Sequence, residues 1–289
     1  MIEVIHFTDP ACPWAYSARP AHAALQWRYG DQLRWRLVMI GLTEDAQRYV
    51  DRGYTPAGAA KGFGTFRRRF GMPFATQPRP RIAATSRACR AVVATRLTVP
   101  EREETVFRTL QFAQFTTPIV FDEDDEIEAA LANVEGIDAT AIVKRLDDPD
   151  VLAAYEADRA EARSAAGSPT EAQGKTATTD GPVRYTAPSL TFDREGQRLE
   201  AGGFQPLEAY DVILANLDPT LVRTPPPDDP LEALQRFPDG LVTQEVAAVM
   251  AGHLQPLDRA GAEEALIDLV GAGRATRTAL GDDALWRAA

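Results

Sequence analysis

The feature that most constrains this chain is a strand that runs straight into a cysteine–proline helix start. Ile2–Phe7 reads as a short strand, and Thr8-Asp9-Pro10-Ala11-Cys12-Pro13-Trp14-Ala15-Tyr16 follows it. Pro13 suits a first helical turn, where its missing N–H would have had no partner. Trp14, Ala18, Ala21, Leu25 and Tyr29 recur at helical spacing, so one helix is expected over Pro13–Tyr29. Leu33–Leu42 starts with alternation, ends apolar and reads as a second strand. A cysteine just before a helix faces free backbone N–H groups and the positive end of the helix dipole. The expectation is a lowered thiol pKa and a thiolate near neutral pH.

The later chain completes an α/β order. A mainly helical region runs from about 43 to 181, with helices expected near Arg81–Leu97, Glu101–Phe115, Asp122–Asn133, Asp138–Leu146 and Asp150–Arg163. Ala166–Gly181 is rich in Gly, Ser and Thr and reads as a loop. Ser189–Phe192 and Arg198–Glu200 flank an Asp193-Arg194-Glu195-Gly196 turn and read as strands, before a helix over Pro206–Leu217. Pro225-Pro226-Pro227-Asp228-Asp229-Pro230 is a stiff linker. It is taken as the boundary between a domain over 1–224 and a small module over 231–289. In that module, helices over Leu231–Phe237, Thr243–Met250 and Gly261–Val270 and a final hairpin suggest a winged-helix-like α+β unit.

The Cys12 segment resembles the active-site loop of DsbA-like thioredoxin-fold proteins, above all the branch carrying Asp-Pro-x-Cys-Pro-Trp. That branch includes dithiol–disulfide isomerases of the FrnE type and mycothiol-dependent nitroreductases. In element order the resemblance runs from Met1 to Leu217, and Tyr185-Thr186-Ala187-Pro188-Ser189 and Gly202-Gly203-Phe204-Gln205-Pro206 support it. It implies a thioredoxin fold with a large helical insertion. It also implies a cis Ala187–Pro188 bond facing Cys12, with the Ala187 backbone pairing with a bound thiol or peptide. Cys12 is then the catalytic residue, and Pro13, Trp14, Ala187, Pro188 and Gln205 are the substrate-binding candidates, although helix capping is the stronger reading of Gln205. Redox-active members carry a second cysteine three residues on, where this chain has Ala15. That leaves a monothiol reaction, or the binding of a low-molecular-weight thiol, mycothiol or glutathione, as serine-bearing relatives bind theirs. No tightly bound cofactor is expected. A non-catalytic adaptor is the alternative.

Composition sets the remaining limits. Two cysteines, Cys12 and Cys89, are too few for a disulfide scaffold or a structural zinc site, and Cys89 lies in an Ala- and Val-rich helix that reads as core. No basic segment followed by an apolar run opens the sequence, and no apolar stretch nears the roughly 20 residues of a membrane span. A cytoplasmic protein is expected, without membrane or nucleic-acid partners. The net charge of −11 opposes phosphate binding, and so does the 228–289 segment, with eleven Asp and Glu against five Arg. His22 is too far along the helix from Cys12 to act as its base, His6 lies in the first strand, and His253 is in the tail. From Thr55 to Pro100 there is no Asp or Glu but nine Lys and Arg. The expectation is an anion-binding lid, a face docked on the acidic tail, or a solvated helix face. The expected partners are a small thiol with a small anionic or electrophilic substrate, or a protein thiol.

Overall fold

A computed structural model describes residues 1–179 and 181–289; Asp180, within the expected 166–181 loop, lies outside the described residues. β1 (Ile2–Thr8) leads into α1 (Pro13–Ser17), α2 (Arg19–Tyr29) and β2 (Leu33–Met39). The single helix expected over 13–29 is two helices meeting at Ala18. Pro20 has no N–H to continue the hydrogen-bond ladder, and α2 restarts with that proline in its first turn.

The helical region comprises α3 (Gln47–Asp51), α4 (Pro56–Phe70), α5 (Ser86–Thr98), α6 (Glu103–Thr116), α7 (Asp124–Leu131), α8 (Ala139–Lys144), α9 (Pro149–Ala162) and α10 (Pro169–Ala172). The chain then forms a short β3–β4 pair (Thr176–Ala177 and Arg184–Tyr185), β5 (Ser189–Arg194), β6 (Gln197–Ala201) and α11 (Leu207–Leu217). Sequence periodicity did not lead us to expect α4, which holds Gly58, Gly62 and Gly64. Its ends supply what its interior lacks: Thr55 caps the Gly58 N–H, Pro56 opens the first turn, and Gly71 closes it at φ +71°. The first part of the loop expected over 166–181 holds α10, capped by Ser168.

The central sheet has the order β2-β1-β5-β6, with β1 parallel to β2 and the other pairs antiparallel. The strand period of two sorts β1 cleanly. Ile2 and Val4 face Leu25, Tyr29, Tyr210 and Leu214 of α2 and α11, whereas Ile5 and Phe7 join Cys12, Ala15 and Ala162 on the other face. Leu37 and Met39 of β2 anchor the separate core of α5–α9. This is the expected α/β thioredoxin arrangement with a large helical insertion.

After an extended segment come α12 (Pro230–Arg236), β7 (Leu241–Val242), α13 (Thr243–Met250), α14 (Arg259–Gly271), β8 (Ala275–Leu280) and β9 (Asp283–Ala288), with sheet order β7-β9-β8. These elements share a core with Ala23 and Trp27 of α2. Val242 and Leu285 also pack with Tyr16 of α1 and with Phe74 and Phe115. Fully buried Glu245 ties the two parts together. It accepts from Arg19 Nε at 3.3 Å, from Arg108 Nη2 and from the Val242 N–H at 2.9 Å. Removing one partner of such a buried pair costs about 3–5 kcal/mol, because a charge is left without compensation.

Beneath the sheet, on the α2 side, His6 and His22 meet edge to face at 4.8 Å, beside Trp35. Both are buried, and Nε2 of each has no hydrogen-bond partner. Burial holds the His22 pKa down to about 3 and His6 well below its ordinary value. Below the ordinary pKa near 6.5 the unfolded chain takes up protons that the native chain refuses. Stability present above that pH is therefore lost as pH falls towards the folded value. His22→Leu is expected to flatten the decline of the melting temperature between neutral pH and pH 4. Equal slopes for the variant and the wild type would refute this.

Candidate active site

Asp9 organises the loop that carries Cys12. Its side chain is fully buried at the end of β1. Oδ1 accepts the Ala11 N–H at 2.8 Å, which turns the loop. Oδ2 accepts the Leu42 N–H at 2.8 Å, the Thr85 hydroxyl at 2.9 Å and the Cys89 thiol at 3.4 Å. One carboxylate thus binds its own loop, the exit of β2 and the start of α5. The sequence treated Asp9 as part of a motif without a role of its own; an Asp-Pro step directly after a strand was the available signal.

Cys12 is the N-cap residue of α1, as the sequence implied, and its carbonyl accepts the Tyr16 N–H at 3.0 Å. The thiol donates to the Ala187 carbonyl at 3.1 Å, and the Ala187–Pro188 peptide is cis. The other two supporting stretches close around this contact. Ser189 Oγ donates to the Thr186 carbonyl and accepts the Gly203 N–H at 3.0 Å. Phe204 then meets the Trp14 ring at 5.8 Å. The Gln205 amide donates to the Gly202 carbonyl at 2.8 Å, tightening that turn, while the N-cap position of α11 is Pro206. Trp14 is 40% exposed, lies against Phe66 and Phe70, and carries the Arg69 guanidinium 5.8 Å from its ring centre.

The expected thiolate is corrected by this geometry. Cys12 is only 5% exposed, and burial pushes its pKa up to about 12. The Ala15 and Trp14 amides do pull it down, but burial outweighs them and the Asp9 carboxylate adds to the rise. The resting group is a thiol that donates a hydrogen bond. Cys89 is fully buried and its thiol is held by Asp9; both cysteines are free.

A cavity of about 640 Å³ opens beside Cys12, walled by Pro13 and Trp14 and, from the insertion, by Tyr49, Phe63, Phe66 and Arg79. Ala187, Pro188 and Gln205 are not on its wall. These insertion residues were not singled out as site residues, apart from Arg79 as one member of the acid-free stretch. The expected lid of positive charge is mostly neutralised: Arg81, Arg87, Arg90 and Arg96 pair with carboxylates of the insertion, β2 exit and α9, and Arg67 pairs with Asp282 at 3.2 Å. Among the described residues no cluster of three or more His, Cys, Asp and Glu could hold a metal, and no helix is long and apolar enough to cross a membrane.

Residues 3–180 match the DSBA-like thioredoxin domain family. The chain belongs to this family. Membership supports a thiol–disulfide redox function in broad terms. A probable DsbA oxidoreductase from Streptomyces coelicolor is similar in fold, with 20% identity, a TM-score of 0.55 and 78% of this chain covering 92% of that one. The cytosolic disulfide reductase DsbM from Pseudomonas aeruginosa is similar with 18% identity and a TM-score of 0.51, over 74% of this chain and 99% of that one. The same reductase solved with GSH gives 16% and 0.52, over 74% and 100%. No curated protein matches the sequence. In this DsbA-like chain, with Cys89→Ser leaving one thiol, the alkylation rate is expected to rise only above the free-thiol pKa of about 8.5. An inflection below that value would contradict the buried, protonated thiol.

Proposed function

We propose that the protein is a thiol-dependent oxidoreductase, transferase or isomerase in which Cys12 holds a low-molecular-weight thiol, glutathione or mycothiol. The second substrate, small and anionic or electrophilic, occupies the adjoining cavity. The observation that carries this reading is the Cys12 thiol donating to the Ala187 carbonyl at 3.1 Å while burial keeps it protonated. A protonated S–H is a poor nucleophile but a competent donor, and on binding it would turn from the Ala187 carbonyl to the thiolate of the small cosubstrate. Ala15 stands where dithiol relatives of the FrnE branch carry their second cysteine, and Cys89 is committed to Asp9. Both favour a single-cysteine site. Ala187 and Pro188 would position the cosubstrate through their backbone, Pro13 and Trp14 would wall it, and Gln205 would hold the turn that seats Phe204 on Trp14. Two free cysteines suit a reducing cytoplasm.

A non-catalytic adaptor is the second reading, favoured by the sealed thiol and the C-terminal elements. Their order of helix, strand, two helices and hairpin supports a winged-helix-like module after a 225–230 linker. Its acidity favours packing or protein partners over nucleic acid.

Calorimetric titration with glutathione and with mycothiol tests the choice. Cys12→Ser keeps a donor and is expected to bind within about threefold of wild type. Cys12→Ala is expected to bind about tenfold or more weakly, since a hydrogen bond to a charged acceptor contributes about 1.5–3 kcal/mol. Failure of wild type to bind either thiol would turn the assignment to the adaptor.

A further inference from the structure

Arg79 differs from the other partly buried arginines of its stretch. It lines the Cys12 cavity, and its guanidinium stands 5.1 Å from the centre of the Phe63 ring. Nη2 donates to the Gln114 carbonyl, while Nε is buried without an acceptor. Among the described residues it forms no ion pair, although the equally part-buried Arg67, Arg87, Arg90 and Arg96 each have at least one carboxylate. Burial lowers its pKa only to about 10, so the group stays cationic at neutral pH. A desolvated cation without an anion is costly, and structures that hold one place its counter-ion nearby. Here the adjoining space is the cavity itself.

The rest of the wall narrows the class of anion. Arg81 also lines the cavity but is taken by Asp122 at 2.5 Å and by Glu123. Arg52 lines it too but is exposed and donates to the Thr179 carbonyl at 3.2 Å. One desolvated cation matches one negative charge. Trp14, Phe63 and Phe66 offer ring faces and edges that suit a flat apolar body. A volume of about 640 Å³ falls in the range of small-molecule sites, roughly 300–1,000 Å³.

We propose that this cavity binds a ring-bearing apolar monocarboxylate, its carboxylate on Arg79 and its ring against Trp14, Phe63 and Phe66, beside the Cys12 thiol. The inference deepens the proposed function by giving the class of the second substrate. Because it reads binding of a different ligand from the small thiol, either reading can fail while the other stands.

The test uses the full chain and two probes of nearly equal shape, naphthoate and the neutral naphthylmethanol, titrated calorimetrically. Wild type is expected to bind naphthoate at least tenfold more tightly than the alcohol. Arg79→Met is expected to abolish that preference while leaving the alcohol's affinity unchanged, and Arg79→Lys to keep part of it. Equal affinities in wild type would overturn the proposal, as would no binding of either probe or a preference that survives Arg79→Met. The wild-type comparison decides alone if Arg79→Met does not fold.

Discussion

The site depends on one buried carboxylate. Asp9 follows β1 directly and gathers four donors from three segments: its own loop, the exit of β2, and the start of α5. Those segments belong to the thioredoxin sheet and to the insertion, so the bonds that shape the Cys12 loop also fix the insertion over it. Burial raises the Asp9 pKa even against these bonds, which shows how dry the junction is. Without Asp9 the Leu42 N–H and the Thr85 hydroxyl would lose their shared acceptor inside the protein, and each unmet buried group costs about 1–3 kcal/mol.

The same dryness decides the chemistry of Cys12. A helix N-terminus favours negative charge, but typically by about 0.3–1 kcal/mol and at most about 2. Burial of an ion costs several kcal/mol after relaxation. In the resting structure the second effect wins, and the thiol instead donates to Ala187. The C-terminal elements reinforce the enclosure, because Val242 and Leu285 pack on Tyr16, and Glu245 draws Arg19 and Arg108 into the same interface.

Much of this was legible in the sequence. The strand–cysteine–helix start, the Tyr185–Ser189 segment and the Gly202–Pro206 stretch were singled out separately, and the fold brings them together through Cys12–Ala187, Ser189–Gly203 and Phe204–Trp14. What was not legible came from tertiary context. Periodicity could not find α4, whose three interior glycines read as breakers while its caps and Phe63 and Phe66 hold it in place. The sign of the Cys12 shift reversed because burial cannot be counted from neighbours in sequence. The acid-free stretch read as a lid, a face docked on the acidic tail or a solvated face, because its carboxylate partners lie 7 or more positions away along the chain, as with Arg96–Glu103, Arg81–Asp122 and Arg67–Asp282.

The most direct test is the S–H stretching band in the infrared spectrum of the Cys89→Ser protein, in which Cys12 carries the only thiol. A band shifted by hydrogen bonding, present at neutral pH and persisting above pH 9, is the expected result. Its absence at neutral pH, together with far-ultraviolet absorbance of a thiolate, would contradict the buried donor on which the proposed site rests.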